Sequence, residues 1–351
     1  MKKIWKWIKH NRYFLIFLGI IVFILWFLFW PLNALIEAPG EAVNIQPMVK
    51  IQGVKPNKQN KFMITAVSMS QARPITYLYS KVNPHVSLEK TSDVMGNQSN
   101  EEYDNVQNIY MKSAINNAIY VGYHKAHAKV KQSYHGVYVL NVYPHSDFSN
   151  KLKPGDLVES VNGKKLYQGP QYVKYIQGLP KHAELKITFK RNGKTKQVKG
   201  YKKQLVRGFY GIGIGMVDDV SLKTSPKANI NPGKIGGPSG GLMFALQVYS
   251  ELKHTNYDYK RIAGTGTIAS NGQVGEIGGV DKKIIAANKS GAQIFFCPYV
   301  KPTKTILRME DGHQTNYQVA QATAKKYAPK MKVVPVTSFD DALKYLNQKH
   351  S

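Results

Sequence analysis

Two residues in this sequence stand out as able to do chemistry without a metal: a serine set among glycines and a lysine on a predicted helix. Ser239 lies in Gly236-Gly237-Pro238-Ser239-Gly240-Gly241, ahead of an apolar run from Leu242 to Leu252. A helix N-terminus presents backbone N–H groups that no earlier carbonyl takes up, and these suit an oxyanion. Ser239 is therefore either a nucleophile or a cap on a core helix, because glycine and serine also punctuate ordinary turns and helix starts. A base would decide between them. Val280 through Ser290 reads as a helix closed by Gly291. Val280, Lys283, Ile284 and Ala287 fall at i, i+3, i+4 and i+7 on one stripe, whereas Lys282 shares a side with Lys289. The spacing predicts that Lys283 points inward and Lys282 outward. Desolvation disfavours an inward ammonium and lowers its pKa, as a general base at neutral pH requires. Lys283 could then take the Ser239 proton in a dyad that needs no histidine. Standing alone, it would read as a surface lysine with a buried stem.

Composition narrows the chemistry. The 351 residues suffice for two or three domains with cores of their own. A single cysteine, Cys297, excludes an intrachain disulfide and a multi-cysteine metal site. It sits in Ile294-Phe295-Phe296-Cys297-Pro298, an apolar run that reads as a buried strand. No metal and no cofactor is expected. No G-x-x-x-x-G-K-[ST] occurs, so an ATP-driven machine is not encoded, and Gly211-Ile212-Gly213-Ile214-Gly215 lacks the third glycine, the helix and the distant acid of a dinucleotide fingerprint. The formal charge of +28 favours anionic partners. Its lysines are scattered through strands and turns with no arginine block between aromatics, which argues against nucleic acid and leaves anionic lipid or an acidic wall polymer open.

From Tyr13 to Trp30 the chain carries no charge and is nearly all Phe, Leu, Ile, Val and Trp, about one bilayer crossing. Lys2, Lys3, Lys6, Lys9 and Arg12 precede it, and Pro31, Asn33 and Glu37 follow it. The positive-inside bias puts a basic tail, 1–12, in the cytoplasm and everything after the transmembrane segment, 13–32, outside. A cleaved signal peptide would have a shorter apolar core and a small-x-small site, and Ala34 and Ala38 do not form one. An uncleaved single-pass anchor is the better reading.

Residues 39–82 alternate apolar and polar positions, as in Phe62-Met63-Ile64-Thr65-Ala66-Val67, and predict β-structure. Val106, Ile109, Tyr110, Ala114, Ile115, Ala118 and Ile119 recur at helical spacing and predict one or two helices over 98–128. Next, His135-Gly136-Val137-Tyr138-Val139-Leu140 is a glycine followed by a strand, and Leu152-Lys153-Pro154-Gly155-Asp156-Leu157 to Asn162-Gly163 is a turn, a strand and a hairpin turn. This stretch resembles a PDZ domain, with Pro170, Tyr172, Val173 and Ile176 in the helix that borders its groove and Leu185 to Phe189 as a later strand. The resemblance implies a domain over 126–204 that adds an extended peptide to a sheet edge. It places the peptide at Tyr134, His135, Gly136, Val137, Tyr138 and Val139, continuing to Val142.

The segments Gly-Pro-Ser-small-Gly, Ala263-Gly264-Thr265-Gly266-Thr267-Ile268, and Gly272-Gln273-Val274 through Ile277-Gly278-Gly279 to Lys283 and Ala286-Ala287 occur in that order. Together they resemble the proteolytic domain of Lon proteases, from Ile235 to about Leu346. With the anchor and the PDZ-like module, the chain resembles the membrane-anchored, PDZ-containing Lon-like proteases of Gram-positive bacteria. The resemblance implies an α+β Lon-like domain, split into 40–125 and 205–347, with the β-rich PDZ-like domain inserted. It also implies Ser239 as nucleophile, Lys283 as base, Thr265 as support for their hydrogen bonding, and Pro238 and Gly240 as shapers of the oxyanion site. In two places the chain departs from the family pattern. Gly240 replaces the usual alanine and loosens the backbone there. Glu276 stands where the family often has proline; it is expected in solvent, since a carboxylate reaching Lys283 would raise that lysine's pKa. The expected activity is an ATP-independent, extracellular serine endopeptidase acting on secreted or membrane-associated proteins. An inert, membrane-tethered PDZ adaptor is the alternative.

Overall fold

The computed structural model describes residues 2–206 and 208–348. Met1, in the predicted tail 1–12, and Arg207, in the predicted segment 205–347, lie outside the described residues, as do the side chains of Lys2, Lys3 and Lys6. The chain divides into two compact units, residues 1–40 with 67–97 and residues 41–66 with 98–351, so the predicted segment 40–125 is shared between them.

In the first unit, Lys2–His10 is helical and α1 follows at Arg12–Phe29. With a mean hydropathy of 2.5 and no buried residue, α1 is long and apolar enough to cross a membrane. Then come β1 (Ala34–Asn44) and β2 (Lys61–Gln71), each divided between the two units, and α2 (Pro74–Val82) and β3 (Ser87–Lys90). Ala34–Glu37 pairs antiparallel with β3 around a small core of Ile36, Ala72 and Val86. The alternation of the sequence predicts strand through residue 82, but Pro74–Val82 is helical. Pro74 occupies the first turn, where its missing N–H costs nothing, and Thr76 Oγ1 accepts the Arg73 N–H at 2.7 Å.

The second unit takes up residues 41–66 and continues with α3 (Asn100–Lys125), a single helix capped reciprocally by Ser99 and Glu102. The β-rich module follows: β4 (Lys129–Val142), β5 (Leu157–Val161), α4 (Gly169–Gln177), β6 (Glu184–Arg191), β7 (Lys194–Tyr201) and β8 (Ile214–Ser225). Its strand order is β8-β4-β5-β6-β7. The sheet thus reaches beyond residue 204, because β8 is hydrogen-bonded along the whole of β4. Its core joins Val137, Phe148, Val158, Tyr172, Ile187 and Phe189. The aspartate of the Pro-Gly-Asp turn, Asp156, is buried and takes both 2.7 Å bonds of the Arg191 guanidinium.

The remaining elements are α5 (Gly241–Lys253), β9 (Arg261–Gly264), the hairpin β10 (Thr267–Ile268) and β11 (Val274–Gly275), α6 (Val280–Lys289), β12 (Ile294–Pro298), α7 (Asn316–Tyr327), β13 (Lys332–Val336) and α8 (Phe339–Asn347). Strands β13, β12, β9 and β2 run parallel in that order. Such a sheet needs cover on both faces. Phe62, Ile64, Ile262 and Phe296 pack with α3 and α5, whereas the alternate residues Met63, Ala263, Phe295 and Cys297 pack with α6 and α7. Sitting between α3 and the sheet, α5 is buried on nearly every side, its polar Gln247, Ser250 and Glu251 included.

Candidate active site and peptide groove

Ser239 lies in the turn that feeds α5, half-buried, and the turn is held from three sides. The Gly237 N–H donates to Gln107 O on α3 at 3.1 Å, the Gly241 N–H to Pro238 O at 3.2 Å, and the Gly266 N–H to Ser239 O at 2.8 Å. The N–H groups of Ser239 and Gly240 have no hydrogen-bond partner among the described residues. These are the unoccupied donors that a helix N-terminus leaves over. Gly240 has φ −89°, which any residue adopts, so its reason is space: a Cβ there would lie 3.3 Å from the Phe244 ring and 3.5 Å from Ile64. Pro238 borders a cleft of about 340 Å³ between α3, at Tyr110, Ala114 and Asn117, and the β10–β11 hairpin.

Lys283 extends from α6 into the interior, 3% exposed. Its Nζ donates to Thr265 Oγ1 at 3.3 Å, and that hydroxyl donates to Ser239 O at 3.2 Å. Thr265 is completely buried at the end of β9, with its N–H on Phe296 O at 3.0 Å. The structure therefore brings Ser239, Thr265 and Lys283 together through one hydroxyl. Lys282 does not point out as its helical position predicts. It is 7% exposed, and its ammonium meets Asp281 at 3.3 Å; surrounding elements cover both sides of a helix that sequence periodicity treats as half-solvated. Nor is Glu276 in bulk water. Its Oε1 accepts the Asn316 N–H at 2.7 Å, and Asn316 also clamps Ile277 through both its amide atoms. Burial raises the Glu276 pKa, against the pull of the Asn316 N–H, and nearby Glu310 raises it further. Cys297 is buried between these groups, and desolvation pushes its thiol well up, so it remains a protonated apolar side chain.

The predicted peptide site is misplaced. Tyr134, His135, Gly136, Val137, Tyr138 and Val139 all lie on β4, an interior strand. β8 pairs along its length, β5 occupies the opposite edge at Val137 and Tyr138, and Val137 and Val139 are core residues. No extended chain can add there. The edge strand beside α4 is β8, and between the two runs an apolar groove of about 430 Å³ lined by Val173, Ile176, Phe209, Tyr210, Ile214 and Met216. Helix α4 is fixed at both ends. Asp218 accepts the Gly169 N–H at 2.7 Å, and the buried Lys202 ammonium donates to the carbonyls of Ile176, Gln177 and Leu179. At the groove's end, Ser146 Oγ donates to Ile212 O at 2.5 Å and the Tyr143 N–H to Gly213 O at 2.8 Å, while the N–H groups of Ile212 and Gly213 have no partner among the described residues. The signal for this loop was the run Gly211-Ile212-Gly213-Ile214-Gly215, which fails as a nucleotide fingerprint but suits a turn that turns its amides outward before a strand.

Residues 98–199 match the family model of the PDZ domain, and residues 230–345 match that of the Lon protease (S16) C-terminal proteolytic domain. Lon protease 2 of Bacillus subtilis (strain 168) is 41% identical over 78 residues, which are 22% of this chain and 14% of that protein. Lon protease of Aster yellows witches'-broom phytoplasma is 29% identical over 105 residues, 30% of this chain and 11% of that protein. The chain thus aligns with a small part of these relatives' own length. Among solved structures, the PDZ domain of an SdrC-like protein from Listeria monocytogenes is similar at 28% identity, covering 24% of this chain and 90% of that one, with a TM-score of 0.24.

Proposed function

We propose, for a chain that carries a PDZ domain and a Lon C-terminal proteolytic domain behind one apolar N-terminal helix, an ATP-independent serine endopeptidase with a Ser239–Lys283 dyad. The observation that carries it is the buried Lys283 Nζ tied through Thr265 to the backbone of Ser239. Ser239 Oγ attacks the scissile carbonyl as Lys283 takes its proton, the N–H groups of Ser239 and Gly240 receive the oxyanion, and the lysine then protonates the leaving amine. Water repeats the sequence on the acyl-enzyme. Thr265 is a positioning residue that aims the lysine. The groove between α4 and β8 holds an extended C-terminal segment of the substrate, with its carboxylate on Ile212 and Gly213. The basic tail ahead of α1 puts the protease outside the membrane, where the remaining positive charge suits contact with anionic lipid or wall polymer.

Ser239→Ala and Lys283→Ala are expected to lower kcat by at least about 10³-fold on an unfolded protein substrate, with fold and peptide binding intact. Cleavage that survives both changes rules out the dyad. A wild-type chain that binds peptides in the groove and cleaves none of the substrates offered is the tethered adaptor instead.

A further inference from the structure

Helix α2 is built inside out for water. Ile75, Leu78, Tyr79 and Val82 recur at i, i+3, i+4 and i+7, the stripe that ordinarily faces a core. All four are exposed, Leu78 and Tyr79 by 53% and Val82 by 79%, and Tyr77 and Met69 are exposed beside them. The half-buried positions are instead the polar Thr76 and Ser80. Nothing among the described residues of the first unit covers the apolar stripe, and a soluble chain seldom leaves such a continuous patch open without a partner.

The location of α2 identifies that partner. The residues just ahead of α2 are sewn to the segment that leaves α1: the Leu32 N–H donates to Ala72 O at 2.8 Å, the Ala72 N–H to Ala34 O at 2.9 Å, and the Gln71 amide to Ala34 O at 3.1 Å. The Arg73 guanidinium lies 5.7 Å from the ring centroid of Phe29, the last residue of α1. The start of α2 is therefore level with the end of α1, the one helix among the described residues fit to cross a bilayer. Its side chains suit that depth. Tyrosines favour the membrane–water interface, Lys81 lies 5.1 Å over the Tyr77 ring, and Pro74–Val82 contains no acid.

We propose that α2 is an interfacial helix, seated with Ile75, Leu78, Tyr79 and Val82 about 5–10 Å into the headgroup boundary of the bilayer that α1 crosses. Arg73 and Lys81 face anionic phospholipid headgroups. This rests on reading α1 as membrane-spanning, and continuity with α1 selects lipid over a second copy of the chain or another protein.

The test uses the full chain in phosphatidylglycerol–phosphatidylcholine vesicles, with an environment-sensitive fluorophore on Leu78→Cys or Val82→Cys and, as reference, on Ile20→Cys within α1. Cys297 is buried and stays in place, and labelling of the unsubstituted chain supplies the blank. The expected result is quenching of the 78 and 82 probes by lipids labelled near the headgroup more than by lipids labelled near the chain end, with the reverse order at 20. Leu78→Asp/Val82→Asp, at exposed positions that leave the fold intact, should abolish quenching of a probe on Ile75→Cys. A probe at 20 that is quenched while those at 78 and 82 report water overturns the interfacial helix but keeps the anchor. A probe at 20 that reports water overturns both. Probes at 78 and 82 that are shielded but not reached by lipid quenchers put a protein on the stripe and overturn the proposal.

Discussion

Glu276 offers a way to read the candidate site's electrostatics through stability. Its carboxylate lies at the first turn of α7 with Asn316, and burial, aided by Glu310, raises its pKa above the ordinary 4.5. A folded-state pKa above the unfolded one means that the native chain binds more protons in the interval between them, so this group's contribution falls as pH rises through that interval. Glu276→Gln keeps the acceptor for the Asn316 N–H and removes the charge. The thermal midpoint of the variant should therefore gain on wild type from acid to neutral pH. A difference that stays constant with pH would show that the charge is not the cause. At this scale helical register foretold the inward turn of Lys283, and the glycine and threonine motifs foretold that Ser239 and Thr265 would lie near it. The sequence misplaced Lys282 and Glu276, both expected in solvent, because burial there depends on α7 and other elements distant in the chain.

At the scale of elements, Gly122 shows how tightly the site is framed. A glycine inside a helix costs about 1 kcal/mol relative to alanine, yet α3 keeps one where it crosses α5. A Cβ at Gly122 would stand 2.7 Å from Val248 Cγ1 and 3.1 Å from the Ala245 carbonyl. Overpacking of this kind costs about 1–3 kcal/mol and outweighs the gain in helix propensity, so Gly122→Ala is expected to lower the urea midpoint of unfolding. It should also lower activity, because the Gln107 carbonyl that holds Gly237 rides on the same helix. A variant as stable as wild type would show that α3 and α5 have room to separate. Element types were largely legible: α5, α6 and the Asn271-Gly272 hairpin follow from periodicity and turn residues. Which strand forms the edge was not. Val137 and Val139 alternate as a groove strand would, and only the arrival of Ile214–Ser225 on β4 makes that strand interior. Pro74–Val82 misled for a related reason: its apolar stripe faces away from the protein, so alternation there carried no record of a core.

For the molecule as a whole, the proposed function puts a peptide-binding edge and a proteolytic domain on one membrane-tethered chain. On that proposal, a substrate held by its C-terminus in the groove would meet the proposed dyad at an effective concentration fixed by the intervening chain, without any new contact at the scissile bond. Such help appears in KM and leaves the chemical step alone, since the groove does not touch the reacting atoms. Val173 lines the groove and is itself exposed, so Val173→Asp can spoil binding without unfolding the PDZ domain. For long substrates with an apolar C-terminus, this variant is expected to raise KM by roughly 10–100-fold at unchanged kcat. Short peptides that reach only the cleft beside Pro238 should be cut as by wild type. Equal losses on both kinds of substrate would mean that Val173→Asp damages the protease itself. Unchanged KM on the long ones would mean that the groove selects substrates for a purpose other than delivery to Ser239.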